Sequence, residues 1–233
     1  MSELFAYNSA FLTQGITMAL MAFFVNITFV AYKLRGKELK ARPKVEYFKD
    51  DTVGSYRWGQ QEDFYRVGAT AFPELLQYIA DKIGDPGINH AIVTRYTDGR
   101  VHHIPWHHDK QEGTGGAGAK DIVAGTKIYN IVVCDSPRRF QLAYPDRIST
   151  EKHGNASEYV FDDDLVDGSL LTLTAEGNRL LKHRVPKQKG WTGVRYSIVF
   201  RTLKLAQATT SKKRKRDVLG LQNDDNKNGV IVS

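Results

Sequence analysis

A mainly β domain with helical support (α+β) is the fold class this sequence predicts, and three observations carry it. Short runs rich in Val, Ile, Tyr, Phe and Thr follow one another from residue 90 to 201, separated by Gly, Asp, Pro and Asn. Helical spacing of apolar residues lies ahead of them, before residue 84. The chain has 233 residues, 41% of them apolar, enough for one medium domain with a proper core. Strands in series after one or two helices make a β-sandwich or barrel.

Taken in order, the first segment, 1–34, is dominated by FLTQGITMALMAFFVNITFVAY at 11–32, which carries no charge. Its length would span a hydrocarbon core, and as an anchor it would leave the basic KLRGKELKAR and the domain behind it on the cytoplasmic side. Gln14, Thr17, Asn26 and Thr28 dilute it, and residues 27–32 are β-branched and aromatic, so it also reads as a buried helix followed by a strand. RPKVEYF, ending at Phe48, is a strand; DDTVGSYRWGQQED is a loop with two aromatics, Tyr56 and Trp58. Pro73 opens a helix with apolar Phe72, Leu75, Leu76, Ile79 and Ile83 at helical spacing, and Gly84 with Pro86 closes it.

Strands are expected at 90–96, 127–134, 139–144, 157–161, 169–175 and 193–201. GTGGAG at 113–118 opens no helix after a strand, so it is a loop and not a phosphate cradle. Residues 35–203 thus form the domain. The stretch 204–233, with little apolar content, is expected to be a disordered basic tail.

The net charge of +7 is unevenly spread, because residues 202–233 hold seven Lys/Arg against three Asp/Glu. The rest is an ordinary surface. The run KKRKR at 212–216 is either a solvated tail or a nuclear import address that also binds phosphates. Cys134, the single cysteine, excludes an intramolecular disulfide and any multi-cysteine zinc site, and leans toward a reducing compartment.

The chemistry centres on PWHHDK at 105–110, where His107 and Asp109 stand two apart. On a strand such residues share a side, which leaves His108 on the opposite face. His183, after the strand SLLTLTA, is available as a third ligand. Two imidazoles and one carboxylate on one face of an octahedron leave positions open for a chelating co-substrate and dioxygen, the arrangement of non-heme Fe(II) oxygenases. In GVRYSIVFR at 193–201, Val194, Tyr196, Ile198 and Phe200 alternate with Arg195, Ser197, Val199 and Arg201. Two arginines on one buried face are costly without anionic partners, and a dicarboxylate would satisfy both.

On these residues the chain resembles the AlkB-like Fe(II)/2-oxoglutarate-dependent dioxygenases. The likeness is carried by TRYTDG (94–99), HHDKQE (107–112), His183 and RYSIVFR (195–201), with ARPKVEYF (41–48) as the entering strand, and covers roughly 35–203. It implies a double-stranded β-helix, or jelly roll, with Fe(II) held by His107, Asp109 and His183. It implies 2-oxoglutarate held by Arg195 at its distal carboxylate, with Tyr96 and Ser197 helping, and by Arg201 beside the keto group, with O2 as the second co-substrate. Thr94 stands where the family usually has Asn, Ser197 also where Asn is common, and Gln111 where bacterial members have an acidic residue associated with reading the base.

The implied activity is oxidative demethylation of alkylated DNA or RNA bases, in dealkylation repair or RNA demethylation, with no obligate protein partner. Trp58, in the segment resembling a nucleotide-covering lid, and His90 are the expected stacking rings, and Gln111 is a further candidate at the base. The expected location is nucleus or cytoplasm. The alternative is a hydroxylase of a protein or lipid, anchored through residues 11–32 with its catalytic domain cytoplasmic.

Overall fold

The computed structural model describes residues 3–34, 37–49, 72–109, 111, 122–151 and 154–204. Trp58, the 113–118 run and the 212–216 run lie outside these residues. The strands among the described residues are β1 (Phe5–Asn8), β2 (Val30–Leu34), β3 (Lys37–Phe48), β4 (His90–Asp98), β5 (Ile104–His107), β6 (Ile128–Cys134), β7 (Arg138–Ala143), β8 (Phe161–Leu165), β9 (Leu170–Leu173), β10 (Lys182–Val185) and β11 (Thr192–Arg201). The helices are α1 (Gln14–Val25), α2 (Glu74–Ile83) and α3 (Ala175–Leu180). Antiparallel pairing joins β1-β9-β6-β11-β4-β3-β2 into one sheet and β5-β10-β7-β8 into a second. Two antiparallel sheets with few helices make the jelly roll.

The larger sheet buries both faces, each for a different reason. On one side Val93, Ile131, Val133, Tyr196, Ile198 and Phe200 pack under Leu20 and Phe24 of α1 and Leu76 and Ile79 of α2. The other side meets the second sheet through Tyr96, Val132, Phe140, Leu142, Leu171 and Val185. Because side chains alternate along a strand, β4, β6 and β11 each feed both layers.

The apolar stretch 11–32 folds as a helix and then a strand. Asn26 ends α1: its backbone N–H donates to Phe23 and its side chain to the Ala22 carbonyl at 2.8 Å. No helix among the described residues is long and apolar enough to cross a membrane. In α2, Glu74 sits in the first turn, Lys82 in the last, and Gly84 takes the left-handed φ of 77° that stops the helix.

Two elements depart from the sequence expectation. The strand expected at 157–161 lies at Phe161–Leu165, as FDDDL. Three aspartates argue against a strand, but β8 is an edge that pairs only with β7, and Arg139 lies 3.6–3.9 Å from the carboxylates of Asp162, Asp163 and Asp164. The strand expected to run to residue 175 stops at Leu173, because the Thr174 hydroxyl accepts the Gly177 N–H and starts α3.

Candidate metal centre

The second sheet sets two of the three ligands side by side. His107 at the end of β5 is the direct cross-strand partner of His183 on β10, and their rings lie 4.1 Å apart. Asp109 follows just past the end of β5, so it is not placed by strand alternation. Its Oδ1 is 3.8 Å from His107 Nε2 and 3.9 Å from His183 Nε2. One ligand atom from each residue lies within 4.8 Å of the others, a group suited to one metal ion.

The surrounding groups aim these atoms. The Pro105 carbonyl lies 2.9 Å from His107 Nδ1, which leaves Nε2 turned to the centre. Arg201 Nη2 donates to Asp109 Oδ2 at 2.9 Å, so the other oxygen points at the histidines. Burial would raise the Asp109 carboxyl, but Arg201, His183 and His107 outweigh it and hold it well below the usual range. Burial, reinforced by His107, lowers His183 to about 3, which keeps its imidazole neutral, the form a metal requires. His108 turns away, its Nδ1 2.7 Å from the Asn178 carbonyl.

A cavity opens beside the three ligands, walled by Thr94, Tyr96, Asn130, Ser197 and Arg201 among others. Ser197 donates to Asn130 Oδ1 at 2.7 Å. Arg195 is fully buried, with its guanidinium over the Tyr96 ring at 4.9 Å, and none of its three nitrogens has a hydrogen-bond partner among the described residues. A buried cation in that state calls for an anion. A carboxylate is the fitting partner for that fork of donors.

No family model matches the sequence, and no curated protein matches it either. Among solved structures, the chain is similar to the one described as "The structure of OsALKBH1", an AlkB homologue. The TM-score is 0.55 at 15% identity, over 86% of this chain and 99% of that one. The fold is AlkB-like.

Within this AlkB-like fold, the residues expected around a substrate base fall in different places. His90 is fully buried at the end of β4, its ring 5.0 Å from that of Phe48 and its Nε2 3.9 Å from Glu46 Oε2. It does not line the cavity. Gln111 is also buried and off the wall: its amide donates to the carbonyls of Val123 and Thr126 and accepts from Asn178. Arg201, expected on the co-substrate, lines the cavity and also holds Asp109 through Nη2.

Two residues at the centre escaped the sequence reading. Asn130 lines the cavity from β6, and its signal was a lone polar residue in IYNIVVC at the inward register. Asn178 holds the Asp109 backbone from α3, and a six-residue helix containing Gly177 has no readable period.

Proposed function

We propose that the protein is an Fe(II)- and 2-oxoglutarate-dependent dioxygenase that demethylates alkylated nucleic-acid bases. The observation that carries this is the pairing of a His107–Asp109–His183 cluster with the buried guanidinium of Arg195, which lies over Tyr96 of the cavity wall and has no hydrogen-bond partner among the described residues. The AlkB-like fold supports a nucleic-acid substrate over others, and the basic run at 212–216 would add affinity for phosphates.

In this reading His107 Nε2, His183 Nε2 and one Asp109 oxygen hold the iron. Arg201 orients Asp109 and keeps it ionised. Arg195 takes one carboxylate of 2-oxoglutarate, with Tyr96, Thr94 and Ser197 shaping its place. When bound, iron and 2-oxoglutarate supply oxidation of an N-methyl group by dioxygen, which leaves as formaldehyde while the co-substrate becomes succinate and carbon dioxide. Phe140, Leu171, Leu173 and Val185 keep the cavity apolar around these polar groups, which strengthens each charge interaction.

The test is incubation with Fe(II), 2-oxoglutarate and a panel of methylated DNA and RNA oligonucleotides, read by mass spectrometry. Succinate formation with loss of methyl is expected. Succinate without loss of methyl from any oligonucleotide would remove nucleic acid as the substrate, and no succinate at all would remove the dioxygenase reading.

A further inference from the structure

β5 stops at His107, yet Asp109 two residues later is buried to 4% exposure, so its backbone N–H and C=O need partners that no strand supplies there. Asn178 supplies both. Its Oδ1 accepts the Asp109 N–H at 3.0 Å and its Nδ2 donates to the Asp109 carbonyl at 3.0 Å, which reproduces with one side chain the two bonds of an antiparallel ladder. The same Nδ2 donates to Gln111 Oε1 at 3.1 Å, and the Asn178 carbonyl meets His108 Nδ1 at 2.7 Å. Residues 108, 109 and 111 are therefore all tied to one fully buried asparagine.

Asn178 is itself held firmly. Thr174 Oγ1 donates to the Leu4 carbonyl at 3.0 Å and accepts the Gly177 N–H at 2.9 Å. A Cβ on Gly177 would stand 1.8 Å from the Leu4 carbonyl oxygen, so only glycine lets α3 lie this close to the chain's first strand. Five residues after Asn178 comes His183. The asparagine thus links the segment bearing two ligands to the segment bearing the third.

We infer that Asn178 is a positioning residue for the metal, its side-chain amide fixing the Asp109 backbone and Gln111 so that the Asp109 carboxylate stands within reach of His107 and His183. Gln111 extends the clasp to the turn at Val123–Thr126. The inference rests on the metal-centre reading above and adds to it the group that sets ligand geometry.

The experiment titrates the full chain, freed of metal by chelation, with Co(II) under calorimetry, and then measures 2-oxoglutarate turnover across iron concentrations. Asn178→Ala should weaken metal binding by roughly 10–100-fold, the usual range for groups that orient ligands. Turnover should recover at saturating iron, with the KM for 2-oxoglutarate within about twofold of wild type, the margin of a 0.4 kcal/mol change. Asn89→Ala is the matched control, because Asn89 makes the same reciprocal pair with the Leu203 backbone, at 2.9 and 2.8 Å, and its side chain bonds none of the three ligands. It should lower the melting temperature and leave metal affinity unchanged. Gln111→Met, which keeps side-chain length, should weaken the metal in the same direction by a smaller factor and serves if Asn178→Ala does not fold.

Unchanged metal affinity in Asn178→Ala, or in Gln111→Met where only that variant folds, overturns the inference alone. Equal loss of affinity in Asn89→Ala does the same, by assigning the effect to general destabilisation. A wild-type chain that takes no divalent metal overturns the metal centre and this inference together.

Discussion

Tyr196, Ile198 and Phe200 leave β11 on one side, and Arg195, Ser197 and Arg201 leave it on the other. All six are buried, none more than 5% exposed. Depth therefore does not separate core from site here; the chemistry of the partners does. The apolar set meets α1 and α2 and is satisfied by burial alone. The polar set is costly to bury, and only part of that cost is offset within the protein: Arg201 has Asp109 and Ser197 has Asn130, while Arg195 lacks a hydrogen-bond partner among the described residues. One strand supplies stability from one face and an unfinished set of donors from the other, which is where local rules are expected to break for function.

Removing a ligand should produce the largest effect on the polar side. His183→Ala deletes one of the three ligands, so turnover should vanish and Co(II) binding should be lost, read by succinate formation and calorimetry. A variant retaining half the wild-type rate would break the assignment of this face to chemistry.

Phe200→Ala is the counterpart on the apolar side. Phe200 is fully buried and packs edge-on against Phe72 at 6.0 Å. Its truncation should cost about 3–5 kcal/mol of unfolding free energy. Under conditions where the variant is folded, its KM for 2-oxoglutarate should match wild type, since no group on the inward face has moved. Denaturant unfolding and steady-state kinetics measure the two quantities, and a KM raised tenfold would show that the faces are not separable.

The period-two alternation of GVRYSIVFR was readable directly, and with it the separation of these faces. The His107–His183 neighbourhood was not: it depends on the β5–β10 register, which joins segments far apart in the chain. The expectation that His107 and Asp109 share a strand face fails in detail because β5 ends between them, yet with its backbone held by Asn178 Asp109 still brings its carboxylate to 3.8 Å from His107 Nε2. β8 was unreadable because aspartates argue for a turn unless an Arg139 waits across the ladder. His90 and Gln111 were expected near a base from the family resemblance, and each is buried with protein groups around it.

A milder change on the inward face asks whether Arg195 awaits a carboxylate. Arg195→Lys keeps the charge and loses the planar fork that would grip both oxygens. The requirement for 2-oxoglutarate should rise about tenfold, equivalent to 1.4 kcal/mol, with metal affinity little changed. Titrating first metal and then 2-oxoglutarate separates the two. An unchanged requirement would leave the buried guanidinium without a role.

The smallest expected effect is at Cys134, the inward-facing end of β6 and the cross-strand neighbour of Arg195. The two largest influences there oppose each other. Burial raises the thiol and the Arg195 charge lowers it; burial wins, and the thiol is pushed up to about 11. At pH 8 the thiolate fraction is then about a hundredfold below that of a free cysteine with a pKa near 9, so iodoacetamide should modify Cys134 only very slowly in the folded protein and readily in denaturant. A carboxylate of 2-oxoglutarate bound at Arg195 would offset the charge that most favours the thiolate, so adding the co-substrate should slow the reaction further. Mass spectrometry of the alkylated chain follows both rates. Labelling that is rapid in the folded state, or that 2-oxoglutarate accelerates, would mean that this face is neither sealed nor arranged around a waiting cation.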